Sequence, residues 1–393
     1  MTLVASGPMR RLLLLVSTIV ATDTVFFAAL TPLLPHLAEK FGLSKATAGV
    51  LVATYAAGAL AGAIPAGLLA ARFGAKRAVL IGLTLMSAAS LAFALAGNEW
   101  TLGLARLLQG FGSVFSWAGG LAWIIAAGPR ERRGELLGSA MGAAVFGALL
   151  GPVLGAVAGV AGTRPTFAAM AAFGVVLTAF AAASEAPPSE HESLAPVKRA
   201  LQDSSMLAGL WLIVLPAVLF GVLIVLVPLR LHAAGWGAVA IGAVFVATTA
   251  LEVVLNPLLG RLSDRRGSMV PVRAGLFASI AVSVALAWTH RPALVVPLVL
   301  IAGLAYGAFY TPALAIVSAS AEAIGLAQGL AFGIMNACWA VGALVGPAAG
   351  GALAGWTGDA LPYLLSAALC VATLGARVRG AGDLGRAPDV AHE

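Results

Sequence analysis

Long apolar runs separated by short polar segments make up almost the whole chain. A helix needs about 20 mostly apolar residues to cross a bilayer. Runs of that kind occupy residues 12–35, 46–70, 78–97, 101–127, 136–161, 166–184, 205–230, 238–260, 270–289, 293–319, 325–356 and 360–376. The pattern therefore predicts an all-α integral membrane protein with twelve transmembrane helices.

The longest polar stretch divides these runs into two equal sets. It contains Glu185, Pro187, Glu190 and Lys198, and it reads as a linker. We therefore expect an N-terminal six-helix bundle over residues 1–184, a cytoplasmic linker over 185–204, a C-terminal six-helix bundle over 205–377 and a cytoplasmic tail over 378–393.

Composition supports a membrane protein. Apolar residues make up 61% of the chain and charged residues only 10%. That leaves too little polar surface for a soluble enzyme, a disordered chain or a nucleic-acid-binding domain. The net charge of +7 does not indicate nucleic-acid binding, because most Lys and Arg residues fall in the loops on one side of the membrane, such as Arg10, Lys76, Arg130 and Arg265. The positive-inside rule then predicts cytoplasmic termini in a bacterial-type inner membrane.

Two segments of the first half recur in the second half, at an offset of about half the chain. Gly67, Arg72 and Gly74 follow span two, and Gly260, Asp264 and Arg265 follow span eight. The second repeat consists of Gly147, Gly151, Pro152 and Gly155 in span five and Gly342, Gly346, Pro347 and Gly350 in span eleven. Such repeats indicate parallel copies, and secondary transporters built this way bind substrate between the copies.

These segments resemble signatures of the major facilitator superfamily. The loop after span two resembles its basic signature loop, and Arg106-Leu-Leu-Gln109-Gly110 resembles its fourth-span signature. The glycine–proline pattern of span five, and Asp23 followed by Pro32 in span one, are similar to those of twelve-span drug–proton antiporters.

The resemblance implies two six-helix bundles related by a pseudo-two-fold axis. It also implies a monomer that exchanges protons for a small-molecule substrate by a rocker-switch motion. One departure is that Ala71 stands where the family's signature loop usually has an acid, and Ala75 where it has a basic residue. In the family this acid helps to hold the cytoplasmic side closed when the cavity faces outward. We therefore expect the first half of this chain to hold that side closed less firmly.

Ionisable residues inside a membrane helix are costly and are therefore candidates for function. Asp23, Arg106 and Glu252 qualify. Asp23 shares a helical face with Phe26 and Phe27, which suits a lipophilic cation: the acid pairs with the charge and the rings hold the apolar body.

Glu252 belongs to a polar stripe with Thr248, Thr249 and Asn256, and this stripe must face protein or a water-filled cavity. Arg106 forms a similar stripe with Gln109, and the resemblance links this arginine to proton transfer. Each of the three ionisable residues could instead belong to a fixed network between helices.

Further candidates for the substrate cavity are aromatic or amide residues: Trp117 in span four, Tyr306 and Tyr310 in span ten, and Asn336 in span eleven. Simple helix packing is the alternative for each. The glycine stripes of spans five and eleven present smooth faces, because small residues let helices approach closely. We expect these faces to form a tight contact between the two halves that still permits rocking; ordinary close packing is the alternative, and the two are compatible.

The hypothesis that follows is proton-coupled efflux of lipophilic, often cationic, small molecules. Span seven favours it, because its polar content is limited to the Trp211 indole. The alternative is an exporter of sugars or other small polar metabolites. The chain contains no HExxH, GxSxG or GxxxxGK[ST] motif, so we expect neither an enzyme nor an ATP-driven pump, and neither a metal nor a cofactor.

Overall fold

The computed structural model describes residues 7–128, 133–185, 195–266, 269–326 and 328–380. Every regular element in these ranges is an α-helix, as the apolar runs predict. The first half contains α1 (Gly7–Ala28), α2 (Leu30–Phe41), α3 (Lys45–Phe73), α4 (Ala75–Leu95), α5 (Glu99–Ala127), α6 (Arg133–Ala161) and α7 (Thr163–Ala183). The linker contains a short helix, α8 (Ala195–Ala200), that the sequence pattern does not predict.

The second half contains α9 (Ser204–Ala233), α10 (Ala238–Arg266), α11 (Met269–Trp288), α12 (Pro292–Gly307), α13 (Tyr310–Ala323), α14 (Gln328–Thr357) and α15 (Ala360–Gly380). In the described ranges, eleven helical segments are long and apolar enough to cross a membrane. A twelfth, Ala360–Ala376, is apolar but shorter. The chain is therefore an all-helical, multi-pass membrane protein.

Two predicted spans are each divided into two helices. Span one breaks at Ala29 between α1 and α2, and span ten breaks at Ala308 and Phe309 between α12 and α13. Proline lacks the amide hydrogen that a helix needs to bond the carbonyl four residues earlier. Pro32 and Pro312 therefore leave the carbonyls of Ala28 and Ala308 without their usual partners, which explains both positions.

Local chemistry sets several helix boundaries. The side chains of Ser44, Asn98 and Asp203 each accept a hydrogen bond from an amide in the first turn of α3, α5 and α9. The turn between α3 and α4 consists of Gly74 alone, whose φ of 92° is accessible to glycine at little cost. The basic loop predicted after span two is thus mostly helical, and Gly67 lies inside α3.

The helices pair in the same way in both halves. In the first half α1 packs on α6, α3 on α5, and α4 on α7. In the second half α9 packs on α14, α10 on α12, and α11 on α15. These pairs correspond in chain order, which agrees with the internal repeat.

The glycine stripes lie inside each half. A side chain at Gly147 or Gly151 would meet Ala21 or Ala28 of α1. A side chain at Gly342 or Gly346 would meet Val214 or Val218 of α9. Gly155 and Gly350 continue the same contacts, against Ala29 and Val222. The expectation that these stripes form the contact between the halves is therefore wrong, because spacing defines a smooth face but not the helix that packs on it.

The halves instead meet at what we name the distal end, where α2 connects to α3, opposite the linker end, where α7 leads to α9. There α3 packs on α14, with Gly49 against Pro347 and Gly351. At the symmetric position α6 packs on α10, where Gly242 lies against Pro152. At Gly49 the backbones approach too closely for a side chain to fit, and at Gly242 a methyl group would fit only if its neighbours moved slightly.

Ion pairs also join the halves at the distal end. Lys45 at the start of α3 pairs with Asp359, which precedes α15. Arg230 of α9 holds the other oxygen of Asp359 at 3.1 Å. His232 Nε2 lies 2.8 Å from Glu39 Oε1 of α2. Two carboxylates therefore bridge the halves at this end.

At the linker end the apolar cores of the two halves are separate in the part of the chain that the structure describes. One cluster there includes Leu12, Trp123 and Leu136 and contains only first-half residues. Another includes Met206 and Val317 and contains only residues of α8 and the second half. Among the described residues the halves are thus joined at the distal end, and at the linker end each half keeps an apolar core of its own.

The first prediction concerns the distal contact between α3 and α14. A methyl group at Gly351 would collide with the backbone at Lys45 and Gly49, whereas one at Gly355 would lie 3.8 Å from Ala46. Overpacking typically costs about 1–3 kcal/mol. We expect Gly351→Ala to open the distal end and raise hydrogen–deuterium exchange over residues 41–50, with Gly355→Ala as the matched control. Equal exchange in both variants would show that this contact does not hold the distal end closed.

A second prediction concerns the ion pair between Lys45 and Asp359. Exposed ion pairs contribute about 0.2–1 kcal/mol, so removing one changes an equilibrium by at most roughly fivefold. We expect Lys45→Gln to increase distal hydrogen exchange modestly, and less in high salt than in low salt. Lys40→Gln is the control, because Lys40 is exposed and, among the described residues, its contact is with the ring of the neighbouring Phe41. An effect of equal size in both variants would point to surface charge rather than to this ion pair.

Candidate functional site

Asp23 on α1 is the centre of a buried polar network in the first half. The side chain is 4% exposed, so its oxygens depend on protein donors. The Tyr55 hydroxyl of α3 donates to Oδ1 at 3.0 Å, and the Trp117 indole of α5 donates to Oδ2. The Ser113 hydroxyl is a third hydrogen-bond partner. The carboxyl group thus joins three helices of one half.

Arg106 lies beside this network, but its hydrogen bonds go elsewhere. Its guanidinium stacks 4.7 Å from the centre of the Tyr55 ring. Its Nη1 donates to the Phe26 carbonyl at 3.0 Å and to Gln109 Oε1 at 3.1 Å. Gln109 Nε2 in turn donates to Ser90 Oγ at 3.1 Å. Nε and Nη2 of Arg106 are buried and have no hydrogen-bond partner among the described residues.

Phe26 and Phe27 lie in different environments despite their adjacent positions. Phe26 is 2% exposed and packs in the core, so its ring does not line an open cavity as we expected. Phe27 is half-buried and contacts Tyr55 and Trp339, each with ring centres 5.2 Å apart. Because Trp339 belongs to α14, Phe27 touches the other half.

Four aromatic side chains form what we name the aromatic bridge: Tyr55, Phe27, Trp339 and Tyr310. The indole of Trp339 is hydrogen-bonded to the Tyr310 hydroxyl, which extends the contacts from α3 and α1 through α14 to α13. Asp23 binds Tyr55 at one end of the bridge, and Glu252 interacts electrostatically with Tyr310 at the other. The bridge therefore connects the two membrane-embedded acids across the interface between the halves.

Glu252 on α10 is half-buried against a glycine surface. Its carboxyl group lies beside Gly303 and Gly307 of α12. The Thr248 hydroxyl donates to the Val244 carbonyl of its own helix, so it is not directed at this carboxyl. Among the residues that the structure describes, no hydrogen-bond donor or basic side chain is recorded for Glu252.

Two further candidates for the substrate cavity, Tyr306 and Asn256, are not found to line it in the described structure. Tyr306 is 1% exposed, its hydroxyl lies 3.2 Å from Ser283 Oγ, and its ring packs edge-on to Phe220. It belongs to the core of the second half and not to a cavity. The side chain of Asn256 lies outside the described part.

Asn336 of α14 is half-buried and precedes Trp339 by three residues, so the two side chains share a helical face. Trp117 binds Asp23, as described above, and is half-buried.

The basic signature occurs once in each half, and the structure describes more side chains of the first copy than of the second. In the first copy Lys76 donates to the carbonyls of Ala182 and Ser184 at the end of α7, both at 2.7 Å. Arg72 is exposed near the end of α3. The side chains of Asp264 and Arg265 in the second copy lie outside the described part. Lys76 therefore binds within its own half.

Sequence reasoning missed Tyr55, Trp339 and Gly303. Tyr55 is one of only four tyrosines in the chain, and its hydroxyl needs a partner in a membrane helix, which was a usable signal. Gly303 and Gly307 form a G-x-x-x-G pattern typical of close helix approach. Trp339 gives no such signal, because only the packing of α14 on α3 brings it to Phe27.

The comparisons agree with this architecture. A family profile described as "Major Facilitator Superfamily" matches residues 14–332. A probable sugar efflux transporter of Helicobacter pylori (strain G27) is 31% identical over 106 residues, which cover 27% of each chain. A gallate transporter of Pseudomonas putida is 36% identical over 99 residues, or 25% of this chain and 22% of the relative. The chain thus matches about a quarter of the length of these curated relatives.

Solved structures match over nearly the full length. A bacterial homolog of the human lysosomal transporter Spinster, in an inward-facing and occupied conformation, has a TM-score of 0.77 at 15% identity and covers 95% of this chain and 96% of its own. The nucleoside transporter NupG has a TM-score of 0.73 at 13% identity, with coverages of 94% and 99%. At these identities the likeness concerns the fold.

A third prediction tests the hydroxyl of Tyr55. A hydrogen bond to a charged group contributes about 1.5–3 kcal/mol, whereas removing a hydroxyl that has no partner is nearly neutral. Tyr363 supplies the control, because its buried hydroxyl has no hydrogen-bond partner in the part of the chain that the structure describes. We expect Tyr55→Phe to lower the melting temperature in detergent and Tyr363→Phe to leave it unchanged or raise it. Equal losses in both variants would show that the bond to Asp23 contributes no net stability.

Proposed function

Because the chain belongs to the Major Facilitator Superfamily and is a membrane transporter, not an enzyme, we propose that it exports lipophilic, often cationic, small molecules in exchange for protons. The observation that carries the proposal is that each half has a membrane-embedded acid at one end of the aromatic bridge, and either Asp23 or Glu252 would take up the proton. Carboxyl groups take up protons and pair with cations, and aromatic faces attract cations and apolar bodies. No cofactor enters this mechanism.

The proposal includes an orientation in the membrane. The excess of Lys and Arg at the linker end supports a cytoplasmic position for the linker and both termini, in a bacterial-type inner membrane. We infer that the described conformation, whose halves meet at the distal end and keep separate apolar cores at the linker end, is inward-facing. The Spinster homologs with the same fold carry that description.

Transport would proceed by rocking of the two bundles, residues 1–184 against 205–377, within one monomer. Outward opening requires the distal contacts to separate, including the glycine contact of Gly49 with Gly351 and the ion pair of Lys45 with Asp359. The linker end must close in the same step. Lys76 would contribute little to that closure, since it binds the end of α7 in its own half.

Efflux of sugars is the second candidate, and the names of the Helicobacter relatives favour it. A sugar site needs several free hydrogen-bonding side chains. Gln109 is committed to Arg106 and Ser90, and α9 is apolar through most of its length. Among the described polar residues, Asn336 is the one that a sugar could use beside the aromatic bridge. The geometry therefore favours the lipophilic cargo.

A fourth prediction separates these two candidates. Purified protein in weak buffer is titrated with tetraphenylphosphonium, a neutral disaccharide and gallate, and proton release is recorded. We expect release with tetraphenylphosphonium and none with the disaccharide. Glu99→Gln is the control for removal of a carboxyl, because Glu99 is exposed in the first turn of α5 at the distal end.

The outcomes are distinct. Binding of the disaccharide together with failure to bind tetraphenylphosphonium would replace the proposal with sugar efflux. Binding of the cation without proton release in wild-type protein would show that cargo and protons do not compete, and the exchange mechanism would be wrong.

A further inference from the structure

We infer that the two acids have different roles. Glu252 is the carboxyl at which cargo cation and proton compete, and Gly303 is its positioning residue. Asp23 holds the helices of the first half together. This assignment rests on the proposed function. It depends on how the oxygens of each carboxyl are occupied and on the surface against which each one lies.

The oxygens of Asp23 are already occupied. Tyr55 and Trp117 each donate to a different oxygen, and Ser113 adds a third hydrogen bond. All three donors come from the first half, and the carboxyl is buried among them. A cargo cation would have to displace a donor and leave it unsatisfied in the membrane, which is costly. Asp23 is therefore suited to holding α1, α3 and α5 together.

The oxygens of Glu252 have no such partners in the described structure. The described groups near them are the backbone of α12 at Gly303 and Gly307, and the titratable hydroxyl of Tyr310 on α13 lies within electrostatic range. An ionised carboxylate without a partner is unfavourable away from water. A proton or a positively charged ligand would each remove that cost, and one carboxyl holds one of them at a time.

The position of Glu252 beside the aromatic bridge supports binding of a ligand. Tyr310 connects it to Trp339, which contacts Phe27 of the other half. A cation held by Glu252 would thus lie next to aromatic rings contributed by both halves. Because the rings meet at the interface, a ligand there contacts both halves and can respond to their relative motion.

Gly303 determines where the carboxyl lies. A methyl group at Gly303 would lie 2.7 Å from Glu252 Oε1 and would also collide with the methyl of Thr248. A methyl group at Gly307 would lie 3.5 Å from Oε2, which is ordinary contact. Gly303→Ala therefore displaces the carboxyl without removing its charge, whereas Gly307→Ala, on the same helix, does not.

The test measures tetraphenylphosphonium affinity and ligand-linked proton release in full-length, detergent-purified variants that elute as single species. We expect Gly303→Ala to weaken binding about tenfold and Gly307→Ala by less than about twofold, as for displacement of a charge-assisted contact. Glu252→Gln should abolish proton release, and Asp23→Asn should retain it.

If Gly303→Ala does not fold, Gly303→Ala combined with Thr248→Ala removes one of the two collisions and keeps the one with Glu252. Glu252→Asp adds an independent variant, because a shorter side chain withdraws the carboxyl from α12 and should also weaken binding while preserving proton release.

The results distinguish this inference from the proposed function. Proton release that is lost in Asp23→Asn and kept in Glu252→Gln would overturn the assignment and leave the exchange mechanism intact. Absence of proton release from wild-type protein with any cation would overturn the proposed function itself. Equal cation affinity in folded Gly303→Ala and Gly307→Ala would refute the positioning role of Gly303.

Discussion

The absence of water in the membrane interior is the constraint on which this structure depends. Every backbone group must find its partner within a helix, and every polar side chain must find one in the protein. The chain meets the first requirement with helices alone in its described ranges. It meets the second at residues such as Gln109, whose side chain accepts a hydrogen bond from Arg106 and donates one to Ser90. In such a medium a carboxyl like that of Glu252, which has no recorded partner, is conspicuous.

Close packing of backbones also holds the helices together. In a membrane, apolar side chains gain no hydrophobic free energy by leaving lipid for another helix, so close contact is needed. The chain uses glycine at two distinct kinds of contact. Gly147 and Gly346 fasten α6 to α1 and α14 to α9 inside each half. Gly49, Gly242 and Gly351 lie where the halves meet at the distal end. The first kind joins helices within each half, and the second kind would have to separate in the proposed rocking of the two halves.

Much of this architecture could be predicted from the sequence. Hydrophobic length identified the spans, because the bilayer imposes it locally, and the same logic exposed Asp23, Arg106 and Glu252 as exceptions inside apolar runs. Pairwise relations could not be predicted. Helical spacing placed Phe26 and Tyr306 on plausible faces, yet both are core residues, since a face can pack on a neighbour as readily as line a cavity. Trp339 became visible only when α14 packed on α3 and brought its ring to Phe27.

The positions of the two membrane-embedded acids distinguish the two halves of this duplicated fold. The helix pairings repeat, but the membrane-embedded carboxyls do not: Asp23 lies on α1, the first helix of its half, whereas Glu252 lies on α10, which corresponds to α3. The first carboxyl has its donors inside one half, so the proposed rocking would leave its hydrogen bonds unchanged. The second lies next to a chain of aromatic contacts that crosses the interface. Motion of one half relative to the other must alter that chain, and with it the cost of leaving Glu252 without a proton or a cation.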